Sequence, residues 1–119
     1  MLRIVSFHPF PDEALAPVRE CACCGGHYTV KRRGMRLFSG DTLEGEICPD
    51  CVLAGPVGAA GKVRERIAAG GRSGRAPAEG VERASWIRLL RRRALLLEET
   101  PSFSLDARQA AVRETRERR

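Results

Sequence analysis

Cys21-x-x-Cys24 and Cys48-Pro49-Asp50-Cys51 are two cysteine pairs of identical internal spacing, with twenty-three residues between them. Two residues between thiols let each pair grip one metal ion from adjacent turns of backbone. Four thiolates fill a tetrahedral Zn²⁺ shell and leave no position for water or substrate, so the site reads as structural. Any fold of this chain must bring these two distant stretches to one point. The bland alternative is a set of surface thiols. A redox CxxC needs a βαβ neighbourhood, and the flanking pattern supplies none.

A metal also answers a shortage elsewhere. The chain has 119 residues, and its aromatic residues are four Phe, one Tyr and one Trp. So few large side chains bury limited area, and small domains are marginal on burial alone. Structural zinc contributes about 10–16 kcal/mol of apparent folding free energy. The fifth cysteine argues against a secreted disulfide framework. The N-terminal residues Met1 to Pro9 contain no apolar stretch of signal-peptide length, and Ala94-Leu95-Leu96-Leu97 is far too short to span a membrane. A reducing cytoplasm is the expected setting, where paired cysteines bind metal.

The net charge is +6, and its excess is all late in the chain: residues 1–60 carry six Lys+Arg against seven Asp+Glu, and residues 81–119 carry ten against six. Such an excess suits phosphate backbones or acidic partners. Arg outnumbers Lys 19 to 2 beside much Ala and Gly, a bias that a GC-rich coding sequence also produces.

Residues 1–20 read as extended, with Pro9, Pro11 and Pro17 blocking regular helix and one helical turn over Asp12–Ala16. Residues 21–26 read as a zinc knuckle whose glycines permit a tight turn with N–H groups aimed at sulfur. The pattern predicts a strand over His27–Lys31, a turn at Arg32-Arg33-Gly34, a return strand over Met35–Phe38, and a loop through Ser39–Gly45. A helix over 59–69, ended by Gly70-Gly71, follows the second pair. Knuckle, hairpin, ligand pair and helix in this order suggest a treble clef, where a zinc ribbon would place a second hairpin. Residues 70–80 read as a flexible Gly/Ala/Arg linker. A helix over 81–98 places Trp86, Ile87, Leu90, Ala94 and Leu97 on one face, and Arg88, Arg91 and Arg92 opposite. Thr100-Pro101 offers one helix start and Ser104-Leu105-Asp106 another, with a last helix over 105–117. The expectation is an α+β protein: a small treble-clef or zinc-ribbon-like domain over 1–69 with a short β-hairpin, and a basic helical appendage over 81–119.

Three stretches resemble the CbrC-type family, small bacterial proteins named after a colicin-tolerance factor. They are Phe7-His8-Pro9-Phe10-Pro11, the segment from Cys21 and Cys24 to Ile47-Cys48-Pro49-Asp50-Cys51-Val52, and Glu99-Thr100-Pro101-Ser102-Phe103-Ser104. The resemblance covers about residues 4–62 and a short island at 97–105, in the same order. The chain departs from the family after Cys51, where an Asp-containing run is missing, and after Ser104, where Trp and a His-Cys pair are missing. The resemblance implies a zinc-binding domain and names neither substrate nor reaction.

The remaining candidates each have two readings. Cys23 is either an accessory thiol, reactive if exposed, or a substitute ligand for Cys21 or Cys24; only the 21/24 choice keeps the two-residue spacing. His27 is a donor to metal-bound sulfur or a strand residue. His8 is a ligand or, given a shell filled by thiolates, a packing residue. Lys31, Arg32, Arg33 and Arg36 are phosphate contacts, partial compensation for a negative tetrathiolate centre, or a solvated turn. Arg88, Arg91 and Arg92 are phosphate contacts or a solvated helix face, and no aromatic residues interleave with them to stack bases. The Trp86/Leu90/Leu97 stripe is core or a partner-binding face. No P-loop, dinucleotide fingerprint or metalloprotease motif is present, and the two histidines form no recognisable acid/base pair. The leading expectation is a non-enzymatic, zinc-stabilised interaction protein with a protein partner. Its rivals are a nucleic-acid-binding protein and a thiol/zinc redox sensor.

Overall fold

A computed structural model describes residues 1–8, 18–70 and 82–117. The fold is α+β, with element order β1 (Leu2–Phe7), β2 (Arg19–Glu20), β3 (His27–Tyr28), β4 (Gly34–Ser39), β5 (Thr42–Glu46), α1 (Pro49–Ala69), α2 (Arg83–Glu98) and α3 (Leu105–Glu117). The expected turn over 12–16 and all but Gly70 of the expected 70–80 linker lie outside the described residues.

The strands form two antiparallel sheets, β1-β4-β5 with β4 central and the short ribbon β2-β3. The expected hairpin of 27–31 on 35–38 does not form. His27–Tyr28 pairs backward with Arg19–Glu20, and β4 pairs with β1 and β5. The physical reason lies at residues 31–33. Their N–H groups leave any ladder and donate to the Glu114 carboxylate of α3, at 3.1 Å from Lys31, 2.5 Å from Arg32 and 2.6 Å from Arg33. The real hairpin turns at Gly40, whose φ of 60° suits a glycine, so the expected loop over 39–45 contains a turn and most of β5.

Gly34 is required for a different reason than a turn. A Cβ there would lie 2.1 Å from the Phe7 ring. That ring is fixed beneath the guanidinium of Arg36, 3.9 Å from its centroid, and near that of Arg19 at 5.0 Å. Gly34→Ala should therefore displace Phe7 and cost about 1–3 kcal/mol as an overpacking change. Urea denaturation compared with an exposed Gly40→Asn control measures it; equal stability of Gly34→Ala and the parent protein contradicts the contact.

Helix α1 begins ten residues earlier than the expected 59. Extended Cys48 is its N-cap and Pro49 occupies the first helical position, where a missing N–H costs nothing. Gly55 (φ 80°, ψ 171°) and Pro56 kink it into two pieces. Helix α2 buries Trp86, Leu90, Ala94 and Leu97, as the periodicity predicts, with Ile87 half-buried. Thr100 does not cap a helix. Its hydroxyl accepts the Leu2 N–H (2.9 Å) and donates to the Leu96 carbonyl (2.8 Å), tying the end of α2 to β1. Ser104 is the cap of α3, its hydroxyl accepting the Ala107 N–H at 3.2 Å.

Met35 and Leu37 on β4, Ile47, Val52 and Val63 on α1, and Leu90 and Leu97 on α2 belong to one buried cluster, which Ala107, Ala110 and Ala111 of α3 join. Helix α1 packs against both α2 and α3. The late helices thus rest on the element that carries the second cysteine pair.

Candidate metal centre

Cys21 follows β2, and the chain then turns back on itself. The Cys21 carbonyl accepts from Gly25 N–H and the Cys21 N–H donates to the Gly26 carbonyl, both at 2.9 Å. Gly25 makes the turn possible with φ of 73°, and a Cβ there would meet Arg66 Nε at 2.7 Å. This loop aims N–H groups at sulfur: Cys23 N–H at Cys21 Sγ (3.4 Å) and Gly26 N–H at Cys24 Sγ (3.3 Å). Cys48 and Cys51 come from the N-cap and first turn of α1, and Cys48 N–H donates to Cys21 Sγ at 3.3 Å. A helix N-terminus favours negative charge, so this is a suitable place for thiolates.

The four sulfurs of Cys21, Cys24, Cys48 and Cys51 all lie within 4.8 Å of one another. Cys21 and Cys51 Sγ are 3.7 Å apart, and Cys24 and Cys48 Sγ are 3.9 Å apart. A tetrahedral ion with Zn–S bonds of about 2.3 Å needs sulfur–sulfur edges of about 3.8 Å. The two measured edges straddle that value. A disulfide needs about 2.05 Å, and all five cysteines are free thiols. The donor set fits one tetrahedral metal ion.

Cys23 is not the reactive accessory thiol that exposure would permit. It is fully buried, and its thiol is held within hydrogen-bonding reach of Cys21 and Cys51. The bond to Cys21 is the main cause of a pKa well above the usual thiol value. His27 is exposed on β3, and His8 is exposed after β1, where it lines a cavity with Arg32, Arg33 and Arg113. Neither histidine joins the cysteine group.

The expected cations separate. The backbone of Lys31, Arg32 and Arg33 holds Glu114. Arg36 lies over Phe7 and 3.9 Å from Glu46. On α2, Arg88 donates to the Ser85 hydroxyl (3.1 Å), Arg92 pairs with Glu44, and Arg91 is exposed.

Two other arginines do the electrostatic work near the knuckle, and neither stands out in the sequence. Arg66 of α1 donates to the carbonyls of Ala22 (3.1 Å) and Cys23 (3.4 Å). Arg93 of α2 donates to those of Ala22 (2.9 Å) and Glu44 (2.9 Å). Both are buried. Burial pushes the Arg93 pKa down against the opposing fields of Cys23 and Glu44, but a guanidinium stays charged. Two buried cations here would offset the desolvation of a divalent ion held by four thiolates, a centre of net charge about −2.

No described helix is long and apolar enough to cross a membrane. Compared with known proteins, the chain matches no protein-family model, no curated protein and no solved structure.

Proposed function

We propose that Cys21, Cys24, Cys48 and Cys51 hold one structural Zn²⁺ ion in a treble-clef-like unit, and that the protein acts in the cytoplasm by binding a protein partner rather than by catalysis. The observation that carries this reading is the sulfur cluster, with edges of 3.7 and 3.9 Å. Thiolate donors select zinc among the common closed-shell ions, and a shell of four leaves no coordination position for chemistry. The order of knuckle, hairpin and a helix whose first turn bears the second pair supports the treble clef. The CbrC-type resemblance agrees with it. Native mass spectrometry of freshly purified protein tests the site: one zinc per chain supports it, and a metal-free, well-ordered chain refutes it. Turnover of a substrate, abolished by mutating a polar side chain, would refute the non-enzymatic role.

Zinc affinity should depend steeply on pH. In the metal-free cluster, hydrogen bonds from Cys23 first, then Cys24, Cys48 and Cys51, hold the Cys21 pKa far below the usual thiol range. The Cys24 bond with Cys21 raises its pKa, but Cys48, Cys51 and the Gly26 N–H outweigh this and bring it down to about 6. Cys48 and Cys51 are raised, chiefly by their bonds to Cys21. Near neutral pH two thiols therefore still carry protons, and zinc must displace them. Affinity falls as pH falls, because zinc displaces these protons, and falls more steeply once Cys24 also protonates. Competition with a chromophoric chelator across pH measures the slope, and a pH-independent affinity contradicts it.

Nucleic-acid binding through Lys31, Arg32, Arg33, Arg36, Arg88, Arg91 and Arg92 is the second reading. The excess charge favours it; the pairing of Arg92 with Glu44 and of Arg36 with Phe7 and Glu46 weakens it. It requires binding that weakens steeply as salt rises.

A further inference from the structure

We infer that the chain carries a second site, apart from the cysteine cluster, for a small phosphate-bearing molecule in the cleft between loop 31–33 and α3. The cleft has a volume of about 450 Å³ and is lined by His8, Arg32, Arg33, Ala110, Arg113 and Glu114. That volume falls in the range of about 300–1,000 Å³ typical of small-molecule sites.

The cleft already demonstrates anion recognition. The Glu114 carboxylate, almost wholly buried, accepts three consecutive backbone N–H groups from Lys31, Arg32 and Arg33. Successive N–H groups of this kind form an anion-binding concavity. Their dipoles answer the Glu114 charge where it sits, so the guanidinium groups set the potential of the open space. The Arg33 guanidinium meets the Ser6 hydroxyl at 3.5 Å and, at a long 3.9 Å, a largely exposed Asp106 carboxylate. Arg113 is exposed and makes no ion pair among the described residues. A guanidinium fork matches phosphate oxygens in a bidentate way.

The shape favours a small ligand over a polymer. The arginines converge on one cavity, and among the described residues no aromatic side chain lines it as a stacking platform. Ala110 and the arginine stems give an apolar wall for the rest of a ligand. A second depression of about 310 Å³, which shares Arg113 and includes Val112, Arg108 and Arg116, extends along α3. The smaller cleft beside the knuckle differs: Glu20, Glu44 and Glu46 line it together with Arg66 and Arg93, so its charges answer one another.

Calorimetric titration of the full-length protein, purified with its metal, tests the site at low salt. Inorganic phosphate, pyrophosphate and adenosine monophosphate are the probes. The expected result is saturable one-to-one binding of at least one probe, weakened about tenfold or more by Arg113→Gln and by Arg33→Gln, as for loss of a charge-assisted bond. Arg91→Gln on α2 should leave it unchanged. Arg113 is exposed, so its replacement should preserve the fold, which circular dichroism verifies. Absence of saturable binding by all three probes overturns the proposal. So does equal weakening by Arg91→Gln, which would mean diffuse charge. Affinity that appears only with oligonucleotides and grows with their length also overturns it, in favour of a polymer.

Discussion

Cys48→Ser should leave a chain that retains no stoichiometric zinc and has lost most of its helical circular dichroism. Cys48 serves twice: its sulfur is one corner of the cluster, and its backbone caps α1. An apparent metal contribution of about 10–16 kcal/mol is comparable to the whole stability of an ordinary small domain, about 5–15 kcal/mol. Serine offers a poor ligand and leaves two buried thiols and the half-buried Cys24 around an incomplete site. The loss should not stop at the knuckle. Val52 and Val63 of α1 share a core with Leu90 and Leu97 of α2, and α3 packs on the same helix. Melting α1 therefore removes the surface on which the late helices bury their apolar faces. Far-UV circular dichroism and thermal melting of Cys48→Ser, and of parent protein treated with chelator, check this. A cooperative transition at the parental temperature without metal would contradict it. Helical signal retained by α2 and α3 alone would contradict the spread.

The cysteine spacing made the metal cluster legible because each CxxC is local, and a knuckle turn needs only its own glycines. The stripe on α2 was legible for a similar reason: helical period is a property of contiguous residues. Strand pairing was not. His27-Tyr28-Thr29-Val30 has strand composition, but composition does not name a partner. The partner is Arg19–Glu20, and residues 31–33 are drawn off by a carboxylate more than eighty positions away. Nothing within the segment carries that information. The early start of α1 was concealed by Gly55 and Pro56, which signal a break and do produce one, but inside a helix already begun at Pro49.

The buried charges are more instructive, since their positions were available. Arg93 is three residues after Leu90 and four before Leu97, on the apolar phase of α2. Arg66 stands three after Val63, and Glu114 three after Ala111, in the same relation. Sorting residues by charge puts all three in solvent; sorting them by helical phase puts all three inside, where they are found. A charged residue in the apolar phase of a helix implies a polar target on the facing element. Here the targets are the knuckle carbonyls and the 31–33 backbone.

That contrast yields a test within one tripeptide. Arg91, Arg92 and Arg93 are identical in composition, yet only Arg93 is buried. Arg93→Met should lower stability by about 2–4 kcal/mol and zinc affinity by about ten- to a hundredfold. The guanidinium joins the Ala22 carbonyl to that of Glu44, fixing the knuckle loop to β5 and α2 at once. Two opposing terms decide the size. Methionine of similar length removes the cost of burying a cation, which favours the variant. It also strips a donor from two carbonyls, of which Ala22 keeps Arg66, and it removes one positive charge from beside the tetrathiolate. The second group of losses is larger, because each lost hydrogen bond from a charged donor costs about 1.5–3 kcal/mol and the metal charge adds to it. Arg91→Met, with an exposed side chain and no knuckle contact, should change stability by less than about 0.5 kcal/mol and leave zinc affinity alone. Chelator competition and urea unfolding of the two variants in parallel separate these outcomes. If both variants hold zinc as tightly as the parent, Arg93 is a packing residue and the charge of the centre is balanced elsewhere. If Arg93→Met loses stability while its affinity for the ion is unchanged, the arginine secures the helices without acting on the metal.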